Sequence, residues 1–355
     1  MKSRFTIQEN VSLAEKTTLK IGGAARFFIE AKSESDVADA LRFAEENDLN
    51  IFILGGGSNV LIADEGFNGL VLQIALKGIS TFEQPNEIIR VTAQAGEDWD
   101  EFVRFCVAEN LAGIECLSGI PGFVGGTPVQ NVGAYGQEVS ETIASVRVFD
   151  RKTKNFVDLS NSQCHFAYRT SIFNTSEKNR YIVLAVTYEL TSGGAPKIVY
   201  ADLKKYFGEH APDLAETRRV IIEIRAAKSM VIDERDPNSK SAGSFFKNPI
   251  VSNEKFAEIL EKAQKSKIEN VPGYKVDDRS VKVPAAWLIE NSGFQKGYKK
   301  GNAGLSTRHT LAVVNLGSAS AGEILALKEE IQAKVKNIFD VRLETEPIFV
   351  GFPGE

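Results

Sequence analysis

The clearest periodic signal begins after Ser33. Val37, Leu41 and Ala44 fall at helical spacing behind a Ser33…Asp36 pair that reads as a capping box. Upstream, residues 17–30 read as a glycine turn feeding a strand. Downstream, Ile51–Leu54, Val60–Ile62 and Leu70–Ile74 are apolar runs of strand length, so the opening reads β-α-β-β. A second unit starts near Lys77, with a strand over Val91–Ala95 and a helix whose apolar face is Trp99, Phe102, Val103, Cys106 and Val107. Strands over Ile143–Phe149 and Tyr181–Leu190 close it, with His165–Phe173 between them. From about Met230 the texture changes, and residues 233–240 are charged and turn-like. Helices are expected at Phe256–Ala263 and from Pro284, where proline suits a first helical position. Ser320 and Glu323 form a further capping box, and Ile324, Leu327, Ile331, Val335 and Ile338 give that helix a core stripe. Pro347–Val350 reads as the last strand.

Two glycine-rich stretches interrupt this pattern. In Leu54-Gly-Gly-Gly-Ser-Asn-Val-Leu61 the glycines lie between two strands. A run of exposed N–H groups there would suit a phosphate or pyrophosphate, whereas a Rossmann turn or P-loop needs a helix after the glycines. The same residues read equally as a tight hairpin that binds nothing. The second stretch, residues 119–136, holds six glycines and two prolines, yet Ile120, Val124, Val129 and Val132 are apolar. A partly buried glycine loop wraps something, or is a structural connection of unusual turns.

The 355 residues allow two or three domains, and 43% hydrophobic with 25% charged residues is ordinary for a soluble protein. A net charge of -5 and a pI near 5.6 argue against a nucleic-acid-binding surface. Met1–Lys20 has no apolar leader core and no run is long enough to span a membrane, so the cytosol is the expected compartment. Cys106, Cys116 and Cys164 have no metal-like spacing, and with only His165, His210 and His309 no metal site is expected.

Three polar groups stand in apolar or glycine-rich surroundings. Arg169, beside Tyr168, suits a carboxylate held by two parallel hydrogen bonds, or else is a surface arginine stacked on tyrosine. Ser244 follows a glycine and precedes two phenylalanines, which places it at a sharp turn facing a pocket, or makes it a local turn residue. Glu344 and Glu346 enter the last strand, where alternation points both to one face, as a reactive pair or an exposed acidic edge.

The Leu54–Leu61 stretch, Ile120-Pro-Gly-Phe-Val-Gly-Gly126, Gln130-Asn-Val-Gly-Ala-Tyr-Gly136, Tyr168-Arg169, Gly243-Ser-Phe-Phe-Lys-Asn-Pro249 and Leu343-Glu-Thr-Glu346 together resemble the UDP-N-acetylenolpyruvoylglucosamine reductases. The resemblance runs from about Thr17 to Gly351. It implies an α+β fold: a two-domain FAD-binding module of the vanillyl-alcohol oxidase/para-cresol hydroxylase type, plus a third, α+β substrate-binding domain. The parts would be residues 1–76 with the C-terminal strand 341–355, residues 77–228, and residues 229–340. It implies NADPH-dependent reduction of an enolpyruvyl ether through FAD, in peptidoglycan synthesis. Gly55, Gly56, Gly57, Ser58 and Asn59 would cradle the pyrophosphate, and Gly122, Gly125, Gly126 and Thr127 would run along the opposite side of the cofactor. Arg169 would hold the substrate carboxylate and Ser244 would protonate the α-carbon. Glu346 would act at that carboxylate, either protonated or orienting Arg169. Tyr135, Tyr200, Lys228 and Asn248 would contact the sugar nucleotide, and the extra segment 201–219 marks the subtype whose tyrosine covers the substrate. The expected partner is a UDP-sugar, not nucleic acid or membrane, and the chain is expected to be a monomer. Two departures are visible: about five extra residues between Lys228 and Gly243, and Pro347 where valine is usual. The rivals are a flavin oxidase of a small alcohol or phenol, and a non-catalytic flavin- or UDP-sugar-binding regulator.

Overall fold

A computed structural model describes residues 6–353. Residues 1–5 and 354–355, which enter the leader reading and the outer domain bounds, lie outside the described residues. The described residues form two compact units, residues 6–11, Ala25–Gly57 and Phe67–Val231, and Ser12–Ala24, Ser58–Gly66 and residues 232–353.

The elements run β1 (Gln8–Ser12), β2 (Ala24–Ala31), α1 (Glu34–Glu46), β3 (Ile51–Leu54), β4 (Val60–Ile62), β5 (Phe67–Ile74), β6 (Ile79–Glu83), β7 (Ile88–Gln94), α2 (Trp99–Ala108) and β8 (Leu111–Ala112). Then follow β9 (Gly133–Ala134), β10 (Gln137–Glu138), β11 (Ile143–Asp150), β12 (Asn155–Ser160), β13 (Tyr181–Ser192), α3 (Ala201–Phe207) and α4 (Leu214–Ala227).

The first unit holds a four-stranded sheet, β1-β2-β5-β3, in which β2 and β3 both run parallel to β5. Its second sheet is antiparallel, β12-β11-β13-β7-β6, with β8 also on β13. The alternation along these strands buries one core, which includes Leu70, Leu72, Trp99, Phe102, Val186 and Tyr188. Ser33 caps α1 by accepting from the Asp36 N–H, but the Asp36 carboxylate accepts from Lys32 rather than closing the box on Ser33. Both α3 and α4 lie in the segment after β13 that the hydrophobic pattern left unassigned. They pack Leu203, Phe207, Val220 and Ile221 on Cys116.

The second unit contains β4 and continues with β14 (Ser241–Ser244), β15 (Ile250–Ser252), α5 (Asn253–Lys265), β16 (Tyr274–Lys275), β17 (Ser280–Lys282) and α6 (Ala285–Glu290). It ends with β18 (Lys299–Lys300), β19 (Ala303–Leu305), β20 (Ala312–Asn315), α7 (Ala321–Phe339) and β21 (Ile348–Val350). Its sheets are β14-β20-β19-β18, β15-β17-β16 and the parallel pair β21-β4. Pro284 sits at the N-cap of α6, one position before the expected first turn. The Ser320–Glu323 box is complete. The α7 stripe ends on buried Phe339 rather than Ile338, because Phe339 turns onto the ring of Trp287 at 5.3 Å and leaves Ile338 37% exposed.

Candidate active site

The first glycine stretch is not a hairpin. β3 pairs with β5 and β4 pairs with β21, so the glycines join strands of different sheets. Among the described residues, the N–H groups of Gly56, Gly57 and Ser58 donate to no backbone carbonyl, which leaves a run of free donors of the kind that binds anions. Gly57 takes φ +66°, open to glycine at no cost. Gly56 is fixed by a close approach instead: an added Cβ would lie 2.8 Å from the Gly122 Cα. The two glycine stretches therefore touch at this point. Gly55 and Gly126 are different. Neither has a positive φ, and a Cβ on either would meet nothing within 4 Å.

Residues 119–136 are anchored on the first unit's second sheet. Val124 and Gly125 donate to Glu97 O and Ala95 O, and Gly122 O accepts from the Trp99 N–H. The Thr127 hydroxyl bonds Val124 O and the Tyr188 hydroxyl, both at 2.8 Å, so this side chain holds the loop to the core. Asp100 takes the Gly119 N–H at 2.5 Å and both Nη atoms of Arg218. Burial opposes its charge, but Arg218 and the Gly119 N–H more than offset that and hold Asp100 below the usual carboxylate range. Asp100 and Arg218 carry no sequence pattern of their own, because an acid in the first turn of a helix is an ordinary helix-start residue.

Arg169 stands at φ +56°, half-buried, with Nη2 donating to Gly133 O at 2.7 Å. Its guanidinium also lies 5.3 Å from the Tyr168 ring, as the stacked reading expects. Buried Asn131 braces this segment, its amide donating to Ala167 O and to Glu138. Tyr135, at φ +49° in the β9–β10 turn, meets the Tyr200 ring edge-on at 5.3 Å. Burial raises the Tyr135 hydroxyl above its ordinary value. Lys228 caps α4 and pairs with Asp202 at 3.0 Å; partial burial opposes its charge, yet Asp202 and Tyr135 leave it above the usual lysine value.

In the second unit, Ser244 does not occupy a sharp turn. Gly243, at φ +71°, lies in an irregularity of β14, after which Ser244 pairs with Ala312 and Phe245 and Phe246 enter the core. Glu346 is brought beside it, since its N–H donates to Phe245 O at 3.0 Å. Asn59 supports the same segment: its side-chain amide donates to Glu346 O and its backbone carbonyl accepts from the Ile348 N–H. Glu344 and Glu346 flank Thr345, which bridges Phe246 antiparallel; the side chain of Glu344 is 75% exposed beside Lys247, whereas Glu346 is half-buried. Asn248 accepts the Ala285 N–H and so helps start α6.

Glycine at positions 55 and 126 is required neither by backbone angle nor by protein packing, which leaves room for a ligand against bare backbone. With the free donors of residues 56–58, this fits the diphosphate of FAD. Residues 25–157 match the FAD binding domain family, and residues 236–350 match the UDP-N-acetylenolpyruvoylglucosamine reductase C-terminal domain. The UDP-N-acetylenolpyruvoylglucosamine reductase of Thermobifida fusca is 44% identical over 348 residues, 96% of this chain and 97% of that one. That of Streptomyces coelicolor is 42% identical, covering 96% and 89%. The solved structure of the Thermus caldophilus reductase shares the fold, with a TM-score of 0.66 at 23% identity over 98% of this chain and 99% of that one. The matched domains and the relatives define an FAD-dependent oxidoreductase. Within that class, the chain belongs to the UDP-N-acetylenolpyruvoylglucosamine reductase family.

Proposed function

We propose that this protein reduces UDP-N-acetylglucosamine enolpyruvate to UDP-N-acetylmuramate with NADPH, in the synthesis of peptidoglycan precursors. The observation that carries this reading is the 44% identity across 96% of the chain, which spans both matched domains. When bound along the glycine stretches, FAD supplies the chemistry of taking hydride from NADPH and passing it to the enolpyruvyl double bond.

The chain's own residues do the rest. Arg169 holds the substrate carboxylate through its planar fork, where negative charge grows as the double bond is reduced; a fixed cation there lowers the barrier. Its bond to Gly133 O keeps the guanidinium in one orientation. Ser244 gives its proton to the α-carbon, and the buried rings of Phe245 and Phe246 fix the backbone that presents it. Glu346 is the second group at the carboxylate. Tyr135, Tyr200, Lys228 and Asn248 bind the sugar nucleotide, with Lys228 a cation for the diphosphate. An oxidase of a small alcohol has no use for a carboxylate-binding arginine or a proton donor in these positions.

The test is anaerobic. The yellow protein is reduced with NADPH, UDP-N-acetylglucosamine enolpyruvate is added, and flavin absorbance is followed. Rapid return of the oxidised spectrum with one lactyl-ether product per flavin is expected. Recovery only on admitting oxygen would instead support the oxidase reading.

A further inference from the structure

One oxygen of Glu115 ties together the two segments that carry Tyr135 and Tyr200. Glu115 is fully buried, just before the glycine loop. Its Oε1 accepts from the Gln137 amide at 2.7 Å and from the Lys197 N–H at 2.9 Å, while Oε2 accepts from the Gly113 N–H at 2.8 Å. Gln137 lies two residues after Tyr135, and Lys197 three residues before Tyr200. Gln137 is locked from its other side as well, its Oε1 accepting from the Cys116 N–H at 2.7 Å. Lys197 is held in the same way, with its carbonyl accepting from the Cys116 thiol and its ammonium on Glu141 at 2.7 Å.

The strap from β13 to α3 is thus pinned at Lys197, then passes over the Tyr135–Gly136 turn. A Cβ on Gly136 would lie 2.4 Å from Val199 Cγ2 and Gly136 takes φ +85°, so the strap sits in contact with that turn at a position that favours glycine. The strap's next residue, Tyr200, starts α3 with its ring 5.3 Å from that of Tyr135. A buried carboxylate with several donors is costly to disturb, because removing it strands each donor without water.

We infer that Glu115 is a positioning residue that sets the Tyr135–Tyr200 pair and through it the affinity for the UDP-sugar. This rests on the reading of both tyrosines as substrate contacts. It assigns Glu115 no part in flavin reduction, which separates it from a residue that merely keeps the domain folded.

The experiment is steady-state kinetics on the FAD-loaded enzyme, with melting temperature and flavin content alongside. In Glu115→Leu, KM for UDP-N-acetylglucosamine enolpyruvate is expected to rise about tenfold or more, with NADPH reduction of the flavin within about twofold. Glu115→Gln keeps an oxygen for the Lys197 N–H, and KM should return to within about threefold of wild type. Gly136→Ala reaches the strap from the other side without touching the buried carboxylate, and decides the matter if Glu115→Leu does not fold. It should raise KM in the same way. An unchanged KM in Gly136→Ala and in folded Glu115→Leu overturns the inference. Tyr200→Ala and Tyr135→Phe separate the two levels. If both leave KM unchanged, the substrate-contact reading fails and the inference with it; if they raise KM while the Glu115 and Gly136 variants do not, the inference alone fails.

Discussion

The Cα of Gly122 stands 2.8 Å from the point a Cβ on Gly56 would occupy, and its carbonyl carbon stands 2.9 Å away. The turn after β3 and the loop after α2 therefore meet backbone to backbone, and no side chain fits between them. Close packing of this kind separates glycines that serve the fold from glycines that serve a ligand. Gly56→Ala should lose the folded first unit or leave it with a melting temperature many degrees lower, since overpacking against backbone has no flexible side chain to yield. Gly55→Ala and Gly126→Ala should fold with melting temperatures near wild type as apoproteins, because each new methyl enters open space. Both should bind FAD at least about tenfold more weakly, read by flavin fluorescence on titration. If either retained full FAD affinity, that glycine would not face the cofactor.

Asp150 gives a pH-dependent contribution at the far end of β11. It is 3% exposed and accepts from Arg180 Nε at 3.1 Å, Arg180 Nη2 at 2.9 Å and the Lys152 N–H at 2.9 Å. The Arg180 hydrogen bonds hold its carboxyl well below the usual carboxylate range. A depressed native value means the stabilisation is fully present above the unfolded value of about 3.9 and is lost as pH falls through the native one. Asp150→Asn should lower the urea midpoint at pH 7. The gap from wild type should narrow from about pH 4 downward, because only the wild type has this carboxylate left to protonate. A gap that is constant across that range would remove Asp150 from the acid response.

Much of the fold is legible in the chain because the signals are local. The α7 box from Ser320 to Glu323 and the stripe from Ile324 to Val335 need nothing beyond helix geometry. Ser33 was half-legible: it caps α1, but Asp36 bonds Lys32, which four-residue spacing cannot foretell. Both α3 and α4 escape the local pattern because their apolar positions, Leu203, Phe207, Val220 and Ile221, bury against Cys116, far upstream in the chain. The candidate site divides in the same way. Glycine clusters stand out in sequence, whereas Glu115, Asp100 and Asn131 act through hydrogen bonds to segments distant in the chain, which leave no period. Glu344 and Glu346 differ in exposure because the segment pairs with Phe246 through Thr345 and then, past Pro347, with the strand at Val60, two partners far apart in sequence.

Arg169 joins a charge to a geometry, and the two can be separated. Lysine keeps the charge but loses the planar fork that, in the proposed role, would bond Gly133 O and an incoming carboxylate together. Arg169→Lys should lower kcat/KM for the enolpyruvyl substrate about 100-fold, or about 2.7 kcal/mol, and Arg169→Ala should lower it further. Flavin content and the rate of flavin reduction by NADPH should stay within about threefold of wild type in both. Substrate turnover near wild type in Arg169→Lys would mean that charge alone suffices.

Ser244 should be separable from binding by its own isotope record. Its backbone is held by the β14–β20 pairing and by two buried phenylalanines, so Ser244→Ala removes one hydroxyl with little effect on the fold. If that hydroxyl delivers the α-carbon proton, its loss should slow flavin reoxidation by the substrate about 10²–10⁴-fold, the range for a lost general acid. In deuterated buffer, label should reach the product's α-carbon at the same reduced rate, because both readings follow one saturation step. Flavin reduction by NADPH should be unaffected, since no proton passes to the substrate in that half of the cycle. A higher KM with unchanged reoxidation at saturating substrate would instead make Ser244 a binding group, and the proton would have to come from elsewhere.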